Sequence, residues 1–439
     1  MKTNVFSLIL GVTLCAAPVS FLNAQPKTYD VKDFGAKGDG RTLDTAALQA
    51  ALDACAKAGG GTVRLADGTY LSKPITLGNK TTLLLEDGAT LKATDDPKDY
   101  LPEDVSWGEI LNGTKKGPFT PFIGGKDLTD SAIVGKGTID GSGGRWWIPA
   151  EEARRKVSGY TLPRPNMIVL TRCKNLRLSG IKLTNSPKFH FVPIECEDVL
   201  VEDVTILAPE RAANTDGIDP SICRNVTITR CTIDTGDDNI AIKSGRKLEG
   251  REFACENITV TDCVFRHGHG VSIGAEVVGG VRGLVVKNCR FEGTENGIRI
   301  KSRRDRGGVV QDLTYSNLTM SNVYPAISIA GYYQQSSQML FLKDDKGEPV
   351  TETTPIFRNI KISNLTAAST KNAGLIAGLP ESVITNVVLE NVHISAETGL
   401  TIANAKGIQL KDVNVEVKQG EPFLLHNAQV DGLPKSVAE

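Results

Sequence analysis

Four short clusters in the middle of the chain carry groups that could do chemistry: Asn214-Thr215-Asp216, Gly236-Asp237-Asp238, Gly268-His269-Gly270 and Arg299-Ile300-Lys301. Cleavage of a glycosidic bond needs one protonated carboxyl on the leaving oxygen and one ionised carboxylate acting on water or on the sugar. Crowded acids can supply both states, because like charges at one site push one pKa upward and leave another ionised. Alone, Asp237-Asp238 in a turn would be a solvated cap. The chemistry therefore depends on whether the chain brings Asp216, His269, Arg299 and Lys301 beside that pair, where the two cations would suit an anionic sugar acid.

The elements that must position these groups are visible as an internal repeat. A phrase of Asn, Asp or Gly, then apolar-x-apolar, a polar pair and apolar-x-apolar again begins at Asn175, Asp198, Asn225, Asn257, Gly283, Asp312, Asn359, Asn386 and Gly407, with starts 21 to 47 residues apart. Within it the residues alternate at period 2 and are rich in Val, Ile and Thr, which specifies strands and not helical repeats. The expected fold is all-β, a right-handed parallel β-helix. The sixth residue after each start forms an apolar column in which Cys231, Cys263 and Cys289 alternate with plain aliphatics such as Ile181 and Leu318. That is the behaviour of buried free thiols, not of disulfides or metal ligands. The residue before it is Gly, Asp, Asn or Arg, types dominated by those that tolerate the left-handed backbone of a tight bend. The acids in this column are turn residues with no catalytic part.

Each coil enters a further strand roughly a dozen residues after its start, and there Ile240 aligns with Val271, Ile298 and Ile327, with Ile218 in the coil before. In that register Asp216, Asp238, His269 and Asn296 share one position, Lys243, Gly274 and Lys301 a second, and Ala241, Ser272 and Arg299 a third. Neighbouring parallel strands lie about 4.8 Å apart, so the acids and the imidazole would stand on successive rungs. Strict alternation turns Asp237, Asn239, Ala241 and Lys243 outward and Asp238 inward. A buried Asp in an apolar core is costly, so a bend at Gly236 is expected to bring both acids to solvent.

Before the first phrase, an amphipathic helix is predicted from about Leu43 to Ala58, stopped by three glycines and containing Cys55. It would cap the N-terminal end of the solenoid. Residues from Asp95 to Pro165, with Trp107, Trp146 and Trp147, read as early coils with long excursions, and a second insertion runs from Gln334 to Ile356. These excursions favour a closed, exo-type cleft. Residues 1–24 read as an export signal: Lys2 precedes an apolar stretch from Val5 to Val19, and Ala24 offers a cleavage site before Gln25. Bulky Leu14 ahead of Cys15 argues against lipid attachment. The expected mature unit is one β-helix domain over residues 25–439, periplasmic or extracellular. The 50 basic and 51 acidic residues argue against nucleic acid or an anionic membrane as partner. A monomer is expected, because a capped solenoid exposes no edge.

The four ordered clusters resemble the signatures of family 28 glycoside hydrolases, the polygalacturonase family, and the likeness runs from Asp33-Phe34-Gly35 through Gly137 to the final coils. The resemblance implies inverting hydrolysis of α-1,4-galacturonosyl linkages in an acidic, pectin-type polysaccharide, without metal or cofactor. It implies Asp237 as general acid, Asp216 and Asp238 as the pair that activates water, and His269 as the group that keeps the acid protonated and placed. Asn214, Lys243, Arg299, Lys301 and Tyr333 fall to substrate binding, the last with Tyr332 adjacent in a loose alignment. Asn239 departs from the family, many members of which carry cysteine there, so a familiar disulfide is not expected. Rhamnogalacturonan hydrolysis is the nearest alternative. A calcium-dependent β-helix lyase, in which Asp216, Asp237 and Asp238 would hold the ion, and a non-catalytic sugar-binding solenoid are more distant ones.

Overall fold

The computed structural model describes residues 27–156, 161–333, 345–369 and 371–434, together with Met1. The predicted export signal, Met1 aside, lies outside the described residues, as does the first half of the 334–356 insertion. No described helix is long and apolar enough to cross a membrane.

Stacked coils run from Thr28 to Asp431, each contributing strands to parallel ladders, and they wind as a right-handed parallel β-helix. One ladder includes Lys174–Ser179, Glu197–Glu202, Arg224–Thr229 and Cys255–Thr261. A second includes Lys182–Thr184, Thr205–Leu207, Thr232–Asp234 and Val264–Phe265. The third carries the candidate site, through strands β1 (Phe191–Ile194), β2 (Ile240–Ile242), β3 (Val271–Gly274), β4 (Ile298–Lys301), β5 (Ile327–Ala330), β6 (Asn372–Ala377), β7 (Thr398–Val417) and β8 (Phe423–Asp431). Its register is the predicted one: Ile240 pairs with Val271, Val271 with Ile298 and Ile298 with Ile327, while Ile218 bridges Phe191 to Ile240. These side chains are fully buried in one core that runs the length of the solenoid, each contributing about 1.5–3 kcal/mol. A slip by one residue would expel them all.

Two columns of left-handed residues turn the chain between ladders. Asn175, Asp198, Asn225 and Asn257 have φ of 55°, 59°, 56° and 56°, and Asp203, Arg230, Asp262 and Asn288 have 55°, 53°, 57° and 54°. Their side chains also hydrogen-bond from rung to rung: Asn364 Nδ2 donates to Asn317 Oδ1 at 2.9 Å and Asn391 Nδ2 to Asn364 Oδ1 at 2.8 Å. From Asn288 to Asn391 the bend column is thus an amide ladder, more than a set of tolerant turn residues. Cys55, Cys173, Cys196, Cys223, Cys231, Cys255, Cys263 and Cys289 are all buried free thiols.

The N-terminal helix α1 spans Thr45–Lys57 and buries Leu48, Ala51, Leu52 and Cys55 against the first coils. The early excursion forms two helices, α2 (Trp107–Leu111) and α3 (Gly144–Lys156). Trp146 anchors it, meeting the rings of Trp107, Tyr100 and Phe119 edge-on at 5.2, 5.7 and 6.0 Å. At the other end β8 pairs only with β7 among the described residues, and Leu424 and Leu425 are exposed.

Asn364 tests the ladder. Asn364→Ala forces a Cβ-bearing residue without an amide into φ 52° and breaks two rung-to-rung bonds, so it should lower stability by about 2–3 kcal/mol. Asn364→Gly removes the backbone strain and should recover about 1 kcal/mol of that in urea unfolding. Equal midpoints for the two variants would contradict a left-handed requirement.

Candidate active site

The two acids of Gly236-Asp237-Asp238 sit in the turn that leads into β2, and the way the chain enters that strand decides where they point. A Cβ on Gly236 would lie 2.4–2.9 Å from the carbonyl oxygens of Ala212, Pro209 and Glu210, so only glycine lets this turn pack on the coil below. The expected bend is present, and it reverses the parity of both neighbours. Asp238 turns toward the cleft but stays only 2% exposed, so the bend does not bring both acids to solvent as expected, and Asn239, which strict alternation placed outside, is fully buried. The amide of Asn239 is the reason: its Nδ2 donates to His267 O at 2.8 Å and its Oδ1 accepts from Gly270 N at 2.8 Å. This residue ties the aspartate turn to the histidine turn one rung above. Gly268 takes φ 115°, and a Cβ there would lie 2.5 Å from Asp237 O.

Asp238 is the most heavily bonded acid. Ser272 Oγ donates to its Oδ1 at 2.7 Å, Arg299 Nη1 to the same oxygen at 3.1 Å, and Lys301 Nζ to Oδ2 at 2.6 Å. All three donors lie on the outer face of β3 and β4. Asp237 accepts from Asn214 Nδ2 at 3.3 Å and faces His269, with Nδ1 at 3.1 Å from Oδ1. The ring N–H does not reach in-line hydrogen-bond geometry, so the two meet as an ion pair. His269 Nε2 lies 3.0 Å from Glu295 and Nδ1 3.6 Å from Asp238. Asp216 is buried at the foot of the cleft beside Lys243, whose Nζ is 3.6 Å from Asp216 Oδ2 and 2.9 Å from Asp219 Oδ2. Tyr333 stands over the cations, 5.3 Å from Lys301 Nζ and 5.9 Å from the Arg299 guanidinium. Tyr332 is instead buried and bonds Asp345, so Tyr333 is the tyrosine of the cleft. Every residue expected at the site lines or adjoins one groove of about 790 Å³.

Burial raises every acid here, and the neighbours then sort them. Around Asp238, Lys301, His269 and Arg299 overcome burial and hold the carboxyl well below its ordinary value. Asp237 is also raised by burial, but facing His269 brings it below the usual range. Asp216 goes the other way, pushed well up by burial and by the charges of Asp219 and Asp237, against which Lys243 acts only in part. Burial lowers His269, yet its three carboxylate neighbours carry it up to about 11. The proton of the Asp237–His269 pair therefore rests on His269, not on the expected acid Asp237, and Asp216 is the one catalytic carboxyl that its surroundings raise.

Four contributors were not singled out from the sequence. Ser272 stood in the strip with Arg299, Glu295 precedes Asn296 of the shared position, and Asp219 follows Asp216 by three residues, so each was within reach of the register. Arg164 was not: it comes from the excursion, is buried, and fixes Asn214 by Nη2 to Oδ1 at 2.8 Å while bonding the carbonyls of Leu162, Pro187 and Ala213.

Asp237, Asp238 and His269 place ligand-type atoms within 4.8 Å of one another. The ammonium and guanidinium already on both oxygens of Asp238 supply the positive charge a cation would bring, and a protonated imidazole is not a ligand. The donor set does not suit calcium.

A β-helix with acids, an imidazole and cations on consecutive rungs is the framework of a polysaccharide-cleaving enzyme. Residues 77–415 match the model of glycosyl hydrolases family 28, and the chain belongs to that family of glycoside hydrolases. A second model, rhamnogalacturonase A/epimerase, pectate lyase-like, matches residues 28–99. The chain is 34% identical over 379 residues to an endo-polygalacturonase of Pectobacterium carotovorum, covering 84% of this chain and 88% of the relative. It is similar to the structures of a polygalacturonase from Erwinia carotovora (TM-score 0.74, 31% identity, 92% and 99% of the two chains) and of an exopolygalacturonase from Thermotoga maritima (TM-score 0.70, 26% identity, 92% and 93%).

The ion cluster sets a measurable pH behaviour. The stability His269 contributes is complete below its ordinary value of 6.5 and is lost as pH rises through about 11, whereas that of Asp238 is present above 3.8 and is lost as pH falls. Imidazole NMR should show His269 protonated at neutral pH, and Asp237→Asn should lower its pKa by removing a carboxylate that holds the proton. An imidazole titrating near 6.5 in the unaltered protein would contradict this charge arrangement.

Proposed function

We propose that this chain is a polygalacturonase, hydrolysing α-1,4-galacturonosyl linkages of pectin-type polysaccharide with inversion, as one exported β-helix unit. The observation that carries the reading is the Asp237–His269 pair set one rung from an Asp238 whose two oxygens are held by Arg299 and Lys301. It provides one transferable proton and one acid that stays ionised, beside cations and an aromatic ring for a uronate.

The roles follow from the charges. A bound saccharide displaces water, and a charged pair loses more from desolvation than its neutral form. As the imidazole turns into line with Asp237 Oδ1, 3.1 Å away, the proton on His269 Nδ1 crosses to it, leaving a neutral imidazole and a protonated acid. Asp237 gives that proton to the leaving glycosidic oxygen as the bond to the anomeric carbon breaks. Water attacks the opposite face of the sugar, and Asp238 takes its proton. Asp216, whose Oδ1 takes no hydrogen bond from the described residues, orients that water. Lys243 is drawn away from a purely substrate-binding part by its two carboxylate partners and steadies Asp216, while Arg299, Lys301 and Tyr333 receive the substrate carboxylate. Exo action is the finer proposal, supported by Arg154 of α3 and Thr161 of the same excursion, which line the cleft on the side of the early coils.

Digestion of polygalacturonic acid with a chelator present should release reducing ends without new ultraviolet absorbance, and exo action should yield short products from the first minutes. Asp237→Asn should cut kcat by about 10²–10⁴-fold with KM little changed. New absorbance would mean lyase chemistry, and no release from this substrate, with release from rhamnogalacturonan, would overturn the assignment in favour of its nearest alternative.

A further inference from the structure

The outer face of the third ladder changes character one rung beyond the cations. Arg299 pairs with Ser328 and Lys301 with Ala330, then Ser328 pairs with Leu375, Leu375 with Thr401 and Thr401 with Leu424. A groove of about 530 Å³ lies along this face. It is continuous with the catalytic cleft, because Arg299, Lys301 and Tyr333 line both. Past those shared residues its walls offer apolar contact from Pro325, Leu375 and Leu424 and neutral hydrogen bonding from Asn296, Asn372 and Thr398. Among the described residues lining it, Arg299 and Lys301 alone are charged.

The contrast between the two halves is chemical. In the cleft, uronate recognition draws on an ammonium, a guanidinium and an aromatic ring. In the adjoining groove a second carboxylate would be brought against leucine and proline with no cation of its own, losing hydration without compensation. Sugar hydroxyls, by contrast, can pair with the amides and the threonine, and a methyl ester can cover Leu375. We propose that this groove is a subsite for uncharged saccharide residues, with a methyl-esterified uronate as its occupant. One free carboxylate is required at Arg299 and Lys301, and esterification is accepted on the residue beyond it. This rests on the hydrolase reading above and names the substrate that reading leaves open.

The test compares matched galacturonan oligosaccharides that differ only in methyl esterification of the residue falling in this groove. With the unaltered enzyme, kcat/KM should be higher on the esterified oligosaccharide or within about threefold of the free acid. Leu375→Lys should raise kcat/KM on the free acid by about threefold and not on the ester, and Ser328→Lys serves if that variant does not fold. A fall of more than about 30-fold on esterification in the unaltered enzyme would overturn the proposal while leaving the hydrolase reading intact. No turnover of either oligosaccharide would overturn both.

Discussion

One ion pair joins the architecture to the chemistry: Lys301 Nζ on Asp238 Oδ2, 63 residues apart in the chain and two rungs apart in space. Several carboxylates cannot stay together in a partly dry cleft unless cations stand beside them. In a solenoid those cations can be supplied only from neighbouring coils, at the spacing that parallel pairing imposes. The alignment of Ile240, Val271 and Ile298 is what brings Ser272, Arg299 and Lys301 opposite Asp238. A one-residue slip would bury the cations and expel the isoleucines, so the core that stabilises the fold also holds the register of the site.

Within that frame the acids differ because their surroundings differ. Asp238 has three donors and is kept ionised. Asp216 is buried among like charges, and its carboxyl is raised against the pull of Lys243 at 3.6 Å. Asp237 lies between these extremes, and its state depends on where the His269 proton rests. That arrangement separates storage of the proton from its use: the imidazole holds it while the cleft is wet, and the carboxyl receives it when saccharide displaces water. The neighbouring groove continues the same economy of charge, with cations gathered on one rung and neutral surface beyond.

Much of this was legible in the residues. The period-2 phrases and their turn residues specified the strands, and one alignment of apolar positions reproduced the register of β2 to β5. The placement of Asp216, Asp238, His269, Arg299 and Lys301 followed from it. Parity failed at Asn239, because alternation describes a strand and this residue still belongs to the turn, where its own hydrogen bonds set its direction. The resting place of the proton was hidden for a different reason: it depends on burial and on Glu295 and Asp219, whose charges matter only once distances are known. Arg164 was invisible, since an excursion returning to the cleft leaves no periodic trace.

The proposed chemistry divides the labour so that Asp237 protonates the leaving oxygen and Asp238 takes the proton of the water that attacks the opposite face. The most direct measurement is the anomeric configuration of the first product, followed by proton NMR in the opening turnovers on an α-linked galacturonan. The β anomer should appear first and mutarotate to the α form afterwards. Initial release of the α anomer would show that a carboxylate attacks the sugar itself, and would contradict the assignment of Asp238 as the base.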